Sequence, residues 1–295
     1  MKILVTGSSG HLGEALVRSL QGTPHDVIGI DIAPSPFTHA LGSIVDRAFV
    51  ARSLRGIDAV IHTATLHKPH VATHSRQDFV DTNISGTLNL LEEAAAVGVG
   101  AFVFTSTTST FGHALTPPED APSAWITEQV VPVPKNIYGV TKVAAEDLCE
   151  LFWRQRGLPC VVLRTSRFFP ESDDDQAVRD RYYDANIKVN ELLYRRVDVQ
   201  DVVDAHLLAV EQAARIGFDR YIISATSPFG PHDAKLLRSD AASVVARCVP
   251  RFVAEYARRQ WTMFPGIDRV YVNHKARTEL GWQPRYDFGA AIERL

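Results

Sequence analysis

The first thirteen residues constrain the fold more tightly than any other stretch of this 295-residue chain. Ile3, Leu4 and Val5 form a short apolar run, and Thr6 to Gly10 follow it with small residues only. Leu12, Ala15, Leu16 and Leu20 then recur at the spacing of one helical face. A buried strand therefore turns tightly into a helix. Gly7 permits the sharp turn, Gly10 lets backbone N–H groups approach a phosphate, and Gly13 lets the helix pack against the strand. The helix N-terminus presents free N–H groups and the positive end of its dipole, which together suit the pyrophosphate of a dinucleotide.

The second apolar strand, Asp26 to Ile30, ends at Asp31, eighteen residues beyond Gly13. A carboxylate there accepts both ribose hydroxyls of NAD and repels the 2′-phosphate of NADP. Ile32, Ala33 and Pro34 follow, so no arginine stands beside it to reverse that choice.

Composition narrows the remaining classes. The chain is 45% hydrophobic and 22% charged, with a formal net charge of −3, which gives no electrostatic case for nucleic acid. No run approaches the roughly 18 apolar residues of a membrane span, and the N-terminus lacks the pattern of a cleaved signal. A cytoplasmic address is expected. Cys149, Cys160 and Cys248 are odd in number and widely spaced, so they are read as buried small residues, without a disulfide framework and with no metal site.

Strand and helix patterns alternate through the first half. Strands are expected at 2–6, 26–30, 59–62, 101–104 and 160–163, with helices at 11–21, 46–55, 77–97 and 138–156. Right-handed crossovers then place helices over both faces of a parallel sheet, with ligands at the carboxyl ends of its strands. The fold class is α/β, a Rossmann-like doubly wound parallel sheet with a smaller C-terminal part. Residues 1–165 and 197–225, the latter contributing a late strand at 220–224, are assigned to the sheet domain. Residues 166–196 and 226–295 are assigned to the substrate-binding part, with helices expected at about 184–195, 201–214 and 236–247. The acidic run Glu171 to Asp175 lacks a glycine-turned, carbonyl-rich loop and reads as a solvated lead-in to a helix. His67, Lys68, His70 and His74 read as a solvated loop, with substrate contact as the alternative.

Polar residues gather at the strand ends: His62-Thr63-Ala64-Thr65 after the third, and the hydroxyl run Thr105 to Thr110 with Phe111 and Gly112 after the fourth. Downstream, Tyr138 and Lys142 are four apart on a helix and share one face. Taken with Asn83, Leu163-Arg164, Val197 to Val202 and Lys275 to Pro284, this order of motifs resembles the extended short-chain dehydrogenase/reductase family, the NAD-dependent epimerase/dehydratase group. The resemblance covers essentially the whole chain.

The resemblance implies a catalytic set of Thr107, Tyr138 and Lys142. The phenol moves the proton of a carbinol, Lys142 favours phenolate and holds the nicotinamide ribose, and Thr107 bonds the reacting oxygen. It implies that NAD is held by Gly7, Ser9, Gly10, His11, Leu12, Gly13, Asp31, Ile32, Ser43, Ile44, Thr63, Ala64, Thr65, Asn83 and Thr105, together with Tyr138 and Lys142. It places His67, Thr107, Thr108 and Arg167 near a small-molecule substrate and implies a homodimer. Three departures bear on the reaction. Thr108 and Ser109 stand where dehydratases carry an Asp-Glu pair, so elimination is not expected. Arg167 stands where nucleotide-sugar enzymes usually have asparagine, and Ser43 replaces an acidic residue that commonly meets adenine. The expected activity is NAD-dependent hydride transfer at a secondary alcohol or ketone of a sugar-like substrate. The short 167–197 segment points to a substrate smaller than a nucleotide-sugar, with a UDP-sugar 4-epimerase as the alternative. A non-catalytic NAD-sensing regulator is the alternative from another class.

Overall fold

The computed structural model describes residues 1–172 and 175–295 of the chain. Of the acidic run, Asp173 and Asp174 lie outside the described residues, and Asp175 caps the helix Gln176–Arg181 by accepting from the Ala177 amide.

The chain divides into two compact units. The first comprises Met1–Thr110, Pro134–Arg164 and Val203–Tyr221, and the second Phe111–Val133, Thr165–Val202 and Ile222–Leu295. Strands β1 (Lys2–Thr6), β2 (Asp26–Asp31), β3 (Ala40–Leu41), β4 (Ala59–His62), β5 (Ala101–Thr107), β6 (Ala124–Ile126), β7 (Cys160–Thr165), β8 (Phe218–Ile223) and β9 (Arg269–Tyr271) fall into two sheets. Seven of them form one sheet in the order β3-β2-β1-β4-β5-β7-β8. β1 pairs in parallel with β2 and with β4, β2 with β3, and β4 with β5.

β1 thus stands between the two directions in which the sheet is built. The ends of β1 and β4 lie side by side, Thr6 opposite His62, at the switch point where such sheets bind ligands. The core of the first unit is made by Leu4, Val60, Phe102 and Val162 from the strands with Leu90, Ala145, Cys149 and Phe152 from the helices. Burial of both sheet faces explains why these strands read as continuous apolar runs rather than as alternations.

Four expectations need adjustment, the first being that the strand expected at 101–104 runs on through Thr105 and Ser106 to Thr107. The helix expected over 77–97 is three pieces: Arg76–Val80, a π-helical turn at Asp81–Ser85, and Gly86–Val97. The helix expected over 236–247 is broken into Ala234–Leu237 and Ala241–Cys248, with Asp240 capping the second by accepting from the Ser243 amide. Cys149 and Cys160 are buried, but Cys248 is only half-buried.

In the second unit, β6 and β9 pair in parallel, and Leu193, Phe229, Val245, Phe252, Ile267 and Phe288 form a separate core. Trp282 is fully buried and donates its indole N–H to the Asp201 carbonyl at 2.8 Å. The Asp201 carboxylate accepts from the amides of Arg285 and Tyr286 at 2.9 and 3.0 Å. Among the described residues no helix is long and apolar enough to cross a membrane.

Candidate active site

The Gly-rich turn is shaped by contacts that only glycine permits. Gly7 has φ +73°, and its amide donates to the Ile30 carbonyl at 2.9 Å, tying the end of β1 to β2. A Cβ on Gly13 would sit 2.0 Å from the Gly7 carbonyl oxygen, so the helix His11–Leu20 could not lie this close to the turn with any other residue. Gly10 is the N-cap and offers no side-chain cap, and a Cβ there would meet only the Gly7 oxygen, at 3.3 Å. The first turn of this helix is therefore left without a capping side chain on the side where the glycine leaves space.

Asp31 at the end of β2 faces the turn. Its Oδ2 accepts from the Ser9 amide at 3.0 Å and its Oδ1 from the Ala33 amide at 3.0 Å. Ile32 beside it is exposed. The Ser43 hydroxyl accepts from the Val45 amide, while the Ile44 side chain is buried and its carbonyl accepts from Asn89.

Beneath the turn lies a polar chain with a defined direction. The Ala64 amide donates to Thr6 Oγ1, and the Thr87 hydroxyl donates to the Asn83 carbonyl. Thr6 then donates to His62 Nδ1 at 2.7 Å, and His62 Nε2 donates to Thr87 Oγ1 at 3.0 Å. His62 is held neutral as the Nε2–H tautomer, in keeping with a pKa pushed well down by burial and, next, by the nearby Lys142 charge. Thr63 donates to the Thr6 carbonyl at 2.6 Å, closing the end of β4 onto β1.

Asn83, in the π-helical turn, is buried and saturated by protein partners. Its Oδ1 accepts from the Thr65 hydroxyl and the Leu66 amide, and its Nδ2 donates to the Leu66 carbonyl and to Thr141 Oγ1. It fixes the loop after β4 to the helix that carries Tyr138 and Lys142. A π-helical turn places its side chain where a regular helix would not.

That helix, Ile137–Arg156, begins at Asn136, whose side chain accepts from the Gly139 amide at 3.0 Å. A Cβ on Gly139 would lie 2.8 Å from Pro134 Cβ and 3.2 Å from the Ser109 carbonyl, so glycine lets the helix start against the hydroxyl loop. Tyr138 and Lys142 are both buried. Tyr138 is hydrogen-bonded to Thr107, and Lys142 donates from Nζ to the Thr105 carbonyl at 2.6 Å, with the Phe104 ring 4.0 Å away. The Thr107 hydroxyl also accepts from the Ser109 amide at 3.1 Å, and Thr105 Oγ1 shares a hydrogen bond with His206 Nε2 at 2.8 Å. Thr108 is buried beside them.

Burial pushes the Tyr138 phenol up to about 12, opposed by its bond to Thr107. Burial pulls Lys142 down to about 7, opposed by Glu146 and then Cys149. The protein alone therefore holds the pair close to neutral, and an added positive charge would be needed to draw the phenol toward phenolate.

His67 caps a short turn, Lys68–Ala72, and its ring lies edge-on to His70, which in turn meets His74. Among the described residues no group of three or more His, Cys, Asp or Glu is placed to hold a metal ion. Arg167 belongs to the second unit, where it donates to the carbonyls of Glu171 and Ser172 at 3.2 and 2.7 Å and lies 4.0 Å from Glu191. Sequence reasoning missed Ser106, Glu146 and Asn136. The one available sign was Glu146, which falls four residues beyond Lys142 on the same helical face.

A family model, the NAD dependent epimerase/dehydratase family, matches residues 3–224, a span that contains the Gly-rich turn, Asp31, Thr107, Tyr138 and Lys142. The chain belongs to this family. An uncharacterized protein of Sinorhizobium fredii is 35% identical over 169 residues, covering 55% of this chain and 39% of that protein, so the chain spans well under two thirds of that relative. The UDP-glucose 4-epimerase of Lactobacillus helveticus is 26% identical over 326 aligned residues, covering 97% and 93%. A short-chain dehydrogenase/reductase superfamily protein of Agrobacterium tumefaciens, solved with bound NAD, superimposes with a TM-score of 0.70 at 24% identity, covering 100% and 95%. NAD is the family's cofactor, and the residues here fit it. The helix start has no capping side chain, Gly10 leaves space beside it, and the Asp31 carboxylate stands at the end of the adjacent strand, features compatible with a dinucleotide's pyrophosphate and ribose.

Proposed function

We propose that this protein is an NAD-dependent oxidoreductase or epimerase acting at a secondary alcohol or ketone of a sugar-like substrate. Thr107, Tyr138 and Lys142 form its catalytic set. The carrying observation is the joint placement of the three. Tyr138 is bonded to Thr107, and Lys142 is fixed to the carbonyl two residues earlier on the same strand. In this reading Thr107 orients the substrate oxygen and Tyr138 takes or returns its proton. Lys142 supplies positive charge beside the phenol and a donor for ribose hydroxyls. NAD, when bound, supplies the hydride acceptor and a positive ring that favours phenolate. Gly7, Gly10 and Gly13 seat the pyrophosphate, and Asp31 takes the adenosine ribose. Thr108 and Ser109 offer no carboxylate for elimination, so the reaction ends at hydride and proton transfer. The first unit is assigned to the cofactor and the second to substrate; the proposed address is the cytoplasm, and by family resemblance the protein is a homodimer.

A specific observation favours a nucleotide-sugar as the substrate. A cavity of about 480 Å³ in the second unit is lined by Arg181, Tyr182, Tyr194 and Phe264, by Arg195 and Arg269, which are paired with Glu191 and Asp268, and by the carboxylates Asp175 and Asp268. Arg181, whose guanidinium lies over the Tyr182 ring, is the group best suited to a phosphate, and the rings suit a base. Similarity to a UDP-glucose 4-epimerase along nearly the whole chain supports the same reading, against the smaller substrate suggested by the short 167–197 segment.

The test is to offer NAD-saturated protein a panel of free sugars, uronic acids and UDP-, dTDP- and GDP-sugars, following NADH absorbance and product stereochemistry. Epimerised nucleotide-sugar supports the epimerase, and net NADH from a free sugar supports the dehydrogenase. Tight NAD binding with no hydride exchange on the whole panel supports the regulator and refutes the enzyme. Calorimetry with UDP separates the substrate classes: micromolar binding that is lost in Arg181→Ala assigns the cavity to a nucleotide.

A further inference from the structure

We propose that Glu146 is a positioning residue for the Tyr138 and Lys142 pair, acting through Ser106 and the end of β5; this rests on the catalytic reading above. Three consecutive residues of β5 grip one helix. The Thr105 carbonyl takes Lys142 Nζ at 2.6 Å, the Ser106 hydroxyl donates to Glu146 Oε1 at 2.5 Å, and Thr107 is bonded to Tyr138. Glu146 is the only carboxylate among these six, it is 1% exposed, and it follows Lys142 by one helical turn. Its position is fixed from behind. Arg164 on β7 reaches both carboxylate oxygens, with Nε at 3.1 and 3.2 Å and Nη2 at 2.7 Å. Arg220 on β8 adds Nε at 3.2 Å and is itself held by Asp147 and Glu150. The carboxylate therefore ties β5, β7 and β8 to the catalytic helix at the level of the reacting groups.

The same carboxylate sets the charge balance around Lys142. The groups facing Lys142 are Glu146 and Cys149 on its own helix, neutral His62 on β4 and the Phe104 ring on β5. Those facing Glu146 are Arg164, Arg220, Ser106, Lys142 and the buried Cys149 thiol. Removing the negative charge would leave two guanidinium groups behind a buried ammonium, which would then lose its proton at lower pH. Cofactor affinity and turnover that depend on the ammonium would fall with it.

The experiment is NADH fluorescence titration and hydride exchange across pH for the wild type, Glu146→Gln, Glu146→Asp and Ser106→Ala, with thermal unfolding of each. In Glu146→Gln the alkaline limb should move toward acid by about one pH unit, with NADH affinity above that limb reduced several-fold, and Glu146→Asp should restore the limb. Ser106→Ala keeps the charge, so its limb should not move, while kcat falls by roughly three- to tenfold. A folded Glu146→Gln with the wild-type profile overturns the proposal. If that variant does not fold, unchanged turnover in Ser106→Ala overturns it. A wild type that binds no NADH overturns the catalytic reading and the proposal with it, whereas normal wild-type behaviour beside an unmoved variant overturns the proposal alone.

Discussion

Asp31 reaches across from the end of β2 to accept the Ser9 amide at 3.0 Å, so its carboxylate shapes the Gly-rich turn, and in the proposed function it also takes the adenosine ribose. Each charged hydrogen bond is worth roughly 1.5–3 kcal/mol, so Asp31→Ser should weaken NAD binding about ten- to a hundredfold. Wild-type protein should prefer NADH over NADPH in fluorescence titration. Equal affinity for the two would contradict the assignment of Asp31.

Gly13 tests the geometry of the turn. In Gly13→Ala the new Cβ would run into the backbone of the turn itself, the carbonyl of Gly7 and the Cα of Ser8, so helix and turn must separate. Overpacking of this kind costs about 1–3 kcal/mol, and chemical denaturation should show it together with a loss of NADH affinity. Gly100→Ala is the control, since its Cβ would lie at ordinary contact distance, 3.7 Å from the Asp58 oxygen.

Lys142 makes a prediction about stability and pH. Its folded pKa is pulled by burial to about 7 from 10.5, so between these values the unfolded chain binds a proton that the folded chain does not. Cofactor-free protein should therefore gain stability from this residue as pH rises from about 7 to about 10, by at most about 1.4 kcal/mol per pH unit. Lys142→Met removes the titration, and urea midpoints measured across that window should rise less steeply with pH than those of the wild type. An identical slope would show that the ammonium is not desolvated.

Asp201 anchors the C-terminal segment of the second unit. Asp201→Ala takes the acceptor from the part-buried Arg285 and Tyr286 amides; a fully buried unsatisfied donor costs about 1–3 kcal/mol, so each should cost at most that. Hydrogen exchange should show faster exchange at 282–294, with loss of protection at the Phe288–Arg294 helix before the first unit opens.

Much of this was legible from side-chain type and spacing. The glycines at 7, 10 and 13 follow an apolar strand in the order that the turn requires, and Tyr138 and Lys142 share a helical face because four residues make one turn. Other features left no such mark. A π-helical turn at Asp81–Ser85 hardly disturbs apolar spacing, so the saturation of Asn83 by protein partners could not be recognised. Thr105 to Thr107 read as a loop because hydroxyl residues are common there, yet they continue β5. The Arg251–Arg259 helix went unseen, since Phe252 and Tyr256 are its only buried residues in a basic run. Glu146 is charged, and its burial depends on Arg164 and Arg220, which lie far away in sequence.

The most direct measurement is Tyr138→Phe. The substitution removes the phenol oxygen bonded to Thr107 and leaves the ring in place. Single-turnover hydride exchange with the substrate found by panel screening should fall by at least roughly 10² to 10⁴, while NADH affinity stays within a fewfold of wild type. Near-normal turnover in this variant, with NADH binding intact, would contradict proton transfer by Tyr138 and with it the catalytic set.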